Sequence, residues 1–275
     1  PIRAVIFITL ISAGIFLLPT QPSFSTDQNK VHLIQLIDDT INPVTADYIT
    51  ESIDRAHEEN AECLIIKLDT PGGLLSSTRR IVKKMLTSKV PVVVYIAPSG
   101  SRAGSAGVFI TYASHIAAMA PSTNIGAAHP VQMGIEAPHQ PGDWNELRKL
   151  IDELKDAKKA EEKEIENGAL ESEAPQTVEE VVEEEFEADE NPMESKILQD
   201  TVAFIKSIAK ERNRNVEWGV QSVVKSKSIT SEEALEKGVV EFIAKDDDDL
   251  LQQLDGRTVM INGDERTLQT KGARV

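Results

Sequence analysis

The chain has 275 residues, with 45 acidic and 29 basic side chains and a formal net charge of -16. This length is enough for one large domain, or two small ones, with a buried core. The negative charge and an aromatic content of 4% argue against a nucleic-acid-binding protein, which needs a positive surface and aromatic stacking platforms. The single cysteine, Cys63, excludes an intrachain disulfide and a cysteine-rich zinc site.

The negative charge is concentrated in one segment. Residues 136–195 hold 21 acidic and 6 basic side chains, a net of -15, while the other 215 residues have a net charge of -1. Such a segment is predicted to be a surface insertion of solvated helix or disorder. It would act either as an acidic flap that gates a cleft or as a solubilising loop without chemistry.

The N-terminal residues have the pattern of an export signal. Arg3 precedes an uncharged apolar run at 4–18, and small residues follow at 22–26. This order is typical of a secretory signal peptide, here cut after Ser25, and a retained membrane anchor is the alternative. We therefore expect residues 1–25 to be a signal or anchor. We expect residues 26–275 to be periplasmic or at the outer face of the plasma membrane.

The remaining chain alternates between predicted strands and helices. Continuous apolar runs predict buried strands at 31–37, 63–68, 90–96, 115–119 and 239–244. Helical spacing of apolar residues predicts helices at 42–57, 74–87, 197–212 and 215–225, and a capping box at Thr230 predicts another. A short helix at 250–254 and a hairpin turning at Asn262-Gly263 follow. This order predicts an α/β fold with a mainly parallel sheet.

Two loops of small residues follow predicted strands. In residues 69–73 (DTPGG), Gly72 and Gly73 allow the backbone to approach a ligand closely, although the sequence also suits an ordinary turn. In residues 104–107 (GSAG), Ser105 is predicted at a helix start, either as a nucleophile with an exposed hydroxyl or as an N-cap. Because sites form at the carboxyl edge of a parallel sheet, we expect the two loops to converge there.

Taken together, these motifs resemble a known family. The chain resembles the ClpP/crotonase superfamily, and more closely the NfeD family of membrane-associated serine proteases, in residues 64–73 (LIIKLDTPGG), 104–107, 118–121, 124–130, 231–240 (SEEALEKGVV) and 254–259 (LDGRTV). The resemblance covers 30–133 and 196–270 but not the acidic segment. It implies one ClpP/crotonase-like serine protease domain with an acidic insertion at 136–195. The sequence contains no metal or nucleotide signature, so no cofactor is expected.

The resemblance also implies a Ser–Lys dyad. Ser105 would be the nucleophile, and Lys206, in residues 204–207 (FIKS), would be the general base. The backbone N–H groups of Gly73 and Ala106 would form the oxyanion hole, with Gly72 in the same substrate-binding loop. On a helical wheel Lys206 flanks the apolar face, where burial favours the neutral amine that a base requires. Lys196 and Lys210 point further from that face.

Several alternatives remain at this stage. His129 is a second candidate for the base, because ClpP uses a Ser–His–Asp triad, but no motif provides the carboxylate that orients the histidine. A crotonase-type enzyme acting on an acyl-CoA is disfavoured by export, and a non-catalytic scaffold for membrane partners is the third possibility. The resemblance implies substrates with apolar segments, stomatin-like membrane proteins as partners, and a homo-oligomer close to the membrane.

Overall fold

The computed structural model describes residues 29–130 and 192–275. The predicted signal or anchor and nearly all of the acidic segment lie outside these ranges. The described strands are β1 (Val31–Leu36), β2 (Cys63–Leu68), β3 (Val92–Ile96), β4 (Arg102–Gly104), β5 (Ile116–Met119), β6 (Asn124–Gly126), β7 (Ser228–Thr230), β8 (Phe242–Ile243), β9 (Thr258–Ile261) and β10 (Asp264–Thr267). The described helices are α1 (Pro43–Glu58), α2 (Leu75–Leu86), α3 (Ala106–Ala113), α4 (Pro192–Glu211), α5 (Val216–Val224), α6 (Ser231–Glu236) and α7 (Asp247–Leu254).

A five-stranded sheet forms the centre of the fold. Its strands lie in the order β1-β2-β3-β5-β8, and every neighbouring pair is parallel. Its faces are covered by two clusters of buried apolar side chains, which explains why the strands are continuous apolar runs. One cluster joins the sheet to α1–α6, and the other joins it to α7 and the antiparallel hairpin β9–β10. The predicted parallel α/β architecture is confirmed.

Local capping signals mark the starts of several helices. Asn42 accepts hydrogen bonds from the N–H groups of Val44 and Thr45, and the predicted capping box at Thr230 starts α6. At the hairpin turn, Asn262 and Gly263 both have positive φ, as a two-residue turn requires. Within the described ranges, no helix combines the length and apolar character that a membrane crossing needs.

Two predicted elements differ from the structure. The strand expected at 239–244 is reduced to β8, because the chain passes between two layers there. Val239 and Val240 are buried in the cluster beside the helices, whereas Phe242 belongs to the cluster on the opposite face. The helix expected at 197–212 begins earlier, at Pro192.

A second, three-stranded sheet lies beside the carboxyl ends of the central strands. Its order is β4-β6-β7, with β4 and β6 parallel and β6 and β7 antiparallel. A single β-bridge between Thr70 and Ala103 connects the end of β2 to β4. This small sheet therefore brings the loop before Ser105 next to the glycine loop after β2.

Helices α2, α3 and α4 run in the same direction. Near their middle, Arg79 of α2 and Phe109 of α3 both contact Phe204 of α4. Towards their C-terminal ends, the Arg212 guanidinium donates to the backbone oxygens of Met85 and Ala113. The N-terminal ends of α2 and α3 therefore lie on the same side, where α2 follows Gly73 and α3 follows Ser105, and α4 extends beyond them in that direction.

Candidate active site

Ser105 occupies a sharp turn between β4 and α3. Its backbone angles are φ 47° and ψ -107°, a conformation that costs a residue other than glycine about 1–3 kcal/mol. The Ser105 N–H donates to the Ala127 oxygen at 3.0 Å, but its side chain makes no capping hydrogen bond. The N-cap alternative is therefore not supported. A serine on a strained strand-to-helix turn is the arrangement of a nucleophile elbow, which exposes the hydroxyl.

The glycine loop lies directly against this serine. A Cβ atom added to Gly72 would lie 2.5 Å from the Ser105 Cβ, and Gly72 has φ +126°. The Gly104 N–H donates to the Thr70 oxygen at 2.9 Å, which holds the two loops together. The absence of a side chain at Gly72 is thus what allows Ser105 to take its position.

Two backbone N–H groups beside Ser105 are available to a ligand. The Gly72 oxygen accepts from the Ile41 N–H, and the Leu74 N–H donates to the Ile41 oxygen, so the intervening Gly73 N–H points away from that strand. Within 29–130 and 192–275, neither Gly73 N–H nor Ala106 N–H has a hydrogen-bond partner. Unpaired N–H groups of this kind can stabilise an oxyanion.

Among the described residues, no hydrogen bond joins Lys206 to Ser105. Lys206 is half-buried beside Val202 and Ala209, which agrees with the helical-wheel prediction. However, α4 contacts α3 through Phe204, whose ring is stacked on that of Phe109 with centroids 5.4 Å apart. Because successive helical residues are about 100° apart, Lys206 projects about 200° away from Phe204. In the described part of the chain, Lys206 makes no hydrogen bond or ion pair.

Lys196 occupies a different face of the same helix. Lys196, Asp200 and Phe204 are spaced by four residues, so they form a slanted row in which each lies about 40° around α4 from the next. Asp200 pairs with Arg79 of α2, and Phe204 contacts both Arg79 and Phe109, so this row is directed towards α2 and α3. Lys196 is exposed and lies one turn before Asp200, on the N-terminal side of the contacts with α2 and α3. A helical wheel does not predict this position of Lys196, because α4 contacts α3 through Phe204, which lies at the border of the apolar face.

His129 is held by the helix that follows α4. Its Nδ1 lies 3.0 Å from the Val223 oxygen of α5, so this nitrogen carries the proton and Nε2 is left as an acceptor. His129 follows Ala127, whose oxygen accepts the Ser105 N–H, by two residues. The group that orients this histidine is a backbone carbonyl, whereas the triad of ClpP uses a carboxylate.

A buried charged cluster fixes the far ends of α3 and α4. The Arg214 guanidinium is 1% exposed and donates to Glu241 at 2.9 Å and to Ser114. Burial, together with the charges of Arg212 and Arg214, lowers the pKa of His115 to about 3. Neutral His115 accepts a hydrogen bond from the Val92 N–H at Nδ1. This cluster supports the scaffold at a distance from Ser105.

Comparison with known proteins identifies the family. A family model described as NfeD1b, N-terminal domain, matches residues 30–173, which is just over half of the chain. The chain belongs to the NfeD1b N-terminal domain family.

This NfeD domain is 32% identical over 250 residues to the membrane-bound protease PH1510 of Pyrococcus horikoshii, a match that covers 90% of this chain and 45% of that protein. It is 30% identical over 118 residues to the membrane protein NfeD1b of Bacillus subtilis, covering 42% of this chain and 26% of that protein. The chain thus spans less than half the length of these relatives.

Solved structures of a protease have the same fold as the NfeD domain. One is a lysine-to-alanine variant of the 1510-N membrane-bound stomatin-specific protease with a substrate peptide. Its TM-score is 0.66 at 30% identity, covering 90% of this chain and 91% of that one. A serine-to-alanine variant of 1510-N gives a TM-score of 0.63 at 30% identity, covering 90% and 95%. The predicted ClpP/crotonase-like α/β fold and the resemblance to the NfeD family are confirmed.

Proposed function

We propose that this NfeD domain is a serine endopeptidase with Ser105 as its nucleophile. The observation that carries the proposal is the strained turn of Ser105, packed against Gly72 with two unpaired N–H groups beside it. The match to 1510-N, whose variants replace a serine and a lysine, supports a Ser–Lys mechanism. No step in this mechanism needs a cofactor.

In the proposed reaction, the Ser105 hydroxyl attacks the carbonyl carbon of a peptide bond while a lysine amine takes its proton. The N–H groups of Gly73 and Ala106 stabilise the oxyanion of the tetrahedral intermediate. The lysine then donates a proton to the leaving amine, and an acyl-enzyme remains. Water, deprotonated by the same lysine, hydrolyses the ester and restores Ser105.

The base is proposed to be a lysine of α4. Lys206, which the sequence favoured, faces away from the contact with α3, whereas Lys196 lies on the row that contacts α2 and α3. This packing favours Lys196 over Lys206. The carbonyl-bound His129 is the second candidate, because its Nε2 is free to accept a proton.

Four single variants test this assignment with an apolar fluorogenic peptide. We expect Ser105→Ala and Lys196→Ala each to lower kcat by at least about 10³-fold, since dyad members act as a unit. Lys206→Ala is the matched control from the same helix and should retain activity. Loss of activity in Lys206→Ala alone would instead support the Ser105–Lys206 dyad, and loss in His129→Ala alone would support a Ser–His enzyme. Wild-type protein that neither cleaves peptides nor reacts with a fluorophosphonate would favour the non-catalytic scaffold.

The relatives suggest the substrate and the location. PH1510 is described as membrane-bound, and 1510-N as specific for a stomatin. We therefore propose apolar segments of stomatin-like membrane proteins as substrates, and an exported, membrane-associated homo-oligomer. Cleavage of a stomatin-like protein by the wild type but not by Ser105→Ala would support this substrate. Cleavage restricted to unrelated unfolded proteins would contradict it.

A further inference from the structure

A small polar pocket is lined by two neighbours of Ser105, Gly104 and Ala127. It has a volume of about 160 Å³ and is lined by Pro71, Arg102, Ala103, Gly104, Asn124, Gly126, Ala127 and Ser228. Gly104 precedes Ser105 in the chain, and the Ala127 oxygen accepts a hydrogen bond from the Ser105 N–H. The pocket is smaller than the sites that enclose whole ligands, so it has room for one side chain of a larger substrate.

The pairing of the small sheet explains why this pocket is polar. Arg102 lies opposite Asn124, and Gly104 lies opposite Gly126, which in turn lies opposite Ser228. Alternate residues of a strand share a face, so these five positions form one face of the sheet. The two glycines bring no side chain to this face, which leaves the polar groups of Arg102, Asn124 and Ser228 around the space.

Arg102 gives the pocket its charge. It is the one charged residue among the described residues that line the space, and it is exposed. Its backbone N–H donates to Asp69 at 3.0 Å, but within the described ranges its guanidinium makes no ion pair or hydrogen bond. An unpaired guanidinium beside amide and hydroxyl groups is suited to bind a carboxylate.

We propose that this pocket is a subsite for a carboxylate side chain, Asp or Glu, that lies close to the scissile bond of the substrate. The inference rests on the proposed protease function, and it adds a second determinant of substrate recognition besides the apolar segment. A substrate would then combine an apolar stretch with one acidic residue at a defined distance from the cleaved bond. The C-terminal carboxylate of a peptide has the same chemistry as an Asp or Glu side chain. The test below distinguishes these two sources of the carboxylate.

The test compares apolar fluorogenic peptides that differ only by Glu or Gln at each position around the cleaved bond. With both peptide ends blocked, we expect wild type to prefer Glu at one position by about fivefold in kcat/KM, as for an exposed ion pair. Arg102→Gln should abolish this preference, and Arg102→Glu should reverse it in favour of Lys at the same position. Arg55→Gln removes an exposed arginine of α1 instead and should keep the wild-type preference.

Binding separates the failure of this inference from the failure of the proposed function. Ser105→Ala should bind the Glu peptide about fivefold more tightly than the Gln peptide in calorimetry, and the Ser105→Ala/Arg102→Gln double variant should bind both equally. Cleavage or binding without any Glu preference, or with one unchanged by Arg102→Glu, would overturn the subsite. An Arg102-dependent preference seen only for peptides with a free C-terminus would also overturn the side-chain assignment.

Discussion

The ring of Phe204 in α4 stacks on that of Phe109 in α3, with centroids 5.4 Å apart and planes 15° from parallel. Phe109 lies one helical turn after Ser105, so the contact fixes the position of α4 along the axis of α3, relative to the nucleophile. The segment of α4 that precedes Phe204 is thereby directed to the edge of the sheet where Ser105 lies. This relationship is the structural reason to favour Lys196 as the base.

Arg79 is expected to position α4. Its guanidinium lies 4.1 Å from the centre of the Phe204 ring and pairs with Asp200, one turn from Lys196. We expect Arg79→Gln to lower kcat by about tenfold while KM changes less than twofold, because a small displacement of a catalytic group is costly. The neighbouring Arg80 pairs with Asp47 of α1, so Arg80→Gln is the matched control and should retain kcat. Equal effects of the two substitutions would argue against a specific role for Arg79.

Gly72 is expected to be essential for activity because of its contact with Ser105. Gly72→Ala places a Cβ atom 2.5 Å from that of Ser105, at a backbone φ of +126°. Gly100 also has positive φ, but a Cβ there meets no atom within 4 Å. We expect Gly100→Ala to lower the free energy of unfolding by about 1–2 kcal/mol through backbone strain, and Gly72→Ala to lower it further because of the contact with Ser105. Only Gly72→Ala should lower kcat/KM, by about 10²-fold. Comparable activity loss in Gly100→Ala would show that backbone strain alone is responsible.

Stability is expected to fall in mild acid because of His115. Burial lowers the pKa of this side chain to about 3, while an unfolded histidine titrates near 6.5. Below pH 6.5 the unfolded state therefore binds a proton that the native state excludes, and stability decreases as the pH falls from about 6.5 towards 3. Between pH 7 and pH 5, wild type should lose about 2 kcal/mol more than His115→Asn in urea unfolding. An identical loss in both proteins would contradict this account.

The ion pair of Arg214 and Glu241 is expected to be important for stability. Glu241→Gln leaves the Arg214 guanidinium, which is 1% exposed, without its counter-charge. We expect the free energy of unfolding to fall by about 3 kcal/mol. Glu236→Gln, at an exposed position of α6, should change it by less than about 0.5 kcal/mol. A loss below 1 kcal/mol in Glu241→Gln would indicate that water solvates the arginine.

The sequence predicted those elements whose pattern is local. The apolar runs of β1, β2, β3 and β5, the capping box at Thr230 and the turn at Asn262-Gly263 each carry their own signal, and the structure confirms them. The strands β4, β6 and β7 were missed because each has only three residues, with glycine or polar side chains and no apolar alternation. They form only through pairing with one another and through the bridge to Thr70.

The candidate site divides in the same way. Gly72 and Gly73 follow β2 of the parallel sheet, so a site at this edge was predictable from topology. Ser105 and Ala106 follow β4 of the smaller sheet, which is joined to the end of β2 by the bridge between Thr70 and Ala103. The choice between Lys196 and Lys206 depends on which border of α4 meets α3, and that is set by the long-range contacts of Phe204 with Arg79 and Phe109. The pocket beside Arg102 depends on strand pairing that has no signal in the sequence.

Fluorophosphonate labelling followed by peptide mass spectrometry tests whether Ser105 is an activated nucleophile. We predict a single adduct on Ser105 in wild type and in Lys206→Ala, with labelling absent in Ser105→Ala and slowed by at least about 10²-fold in Lys196→Ala. An adduct on a different residue, or no adduct on folded wild-type protein, would contradict this role of Ser105.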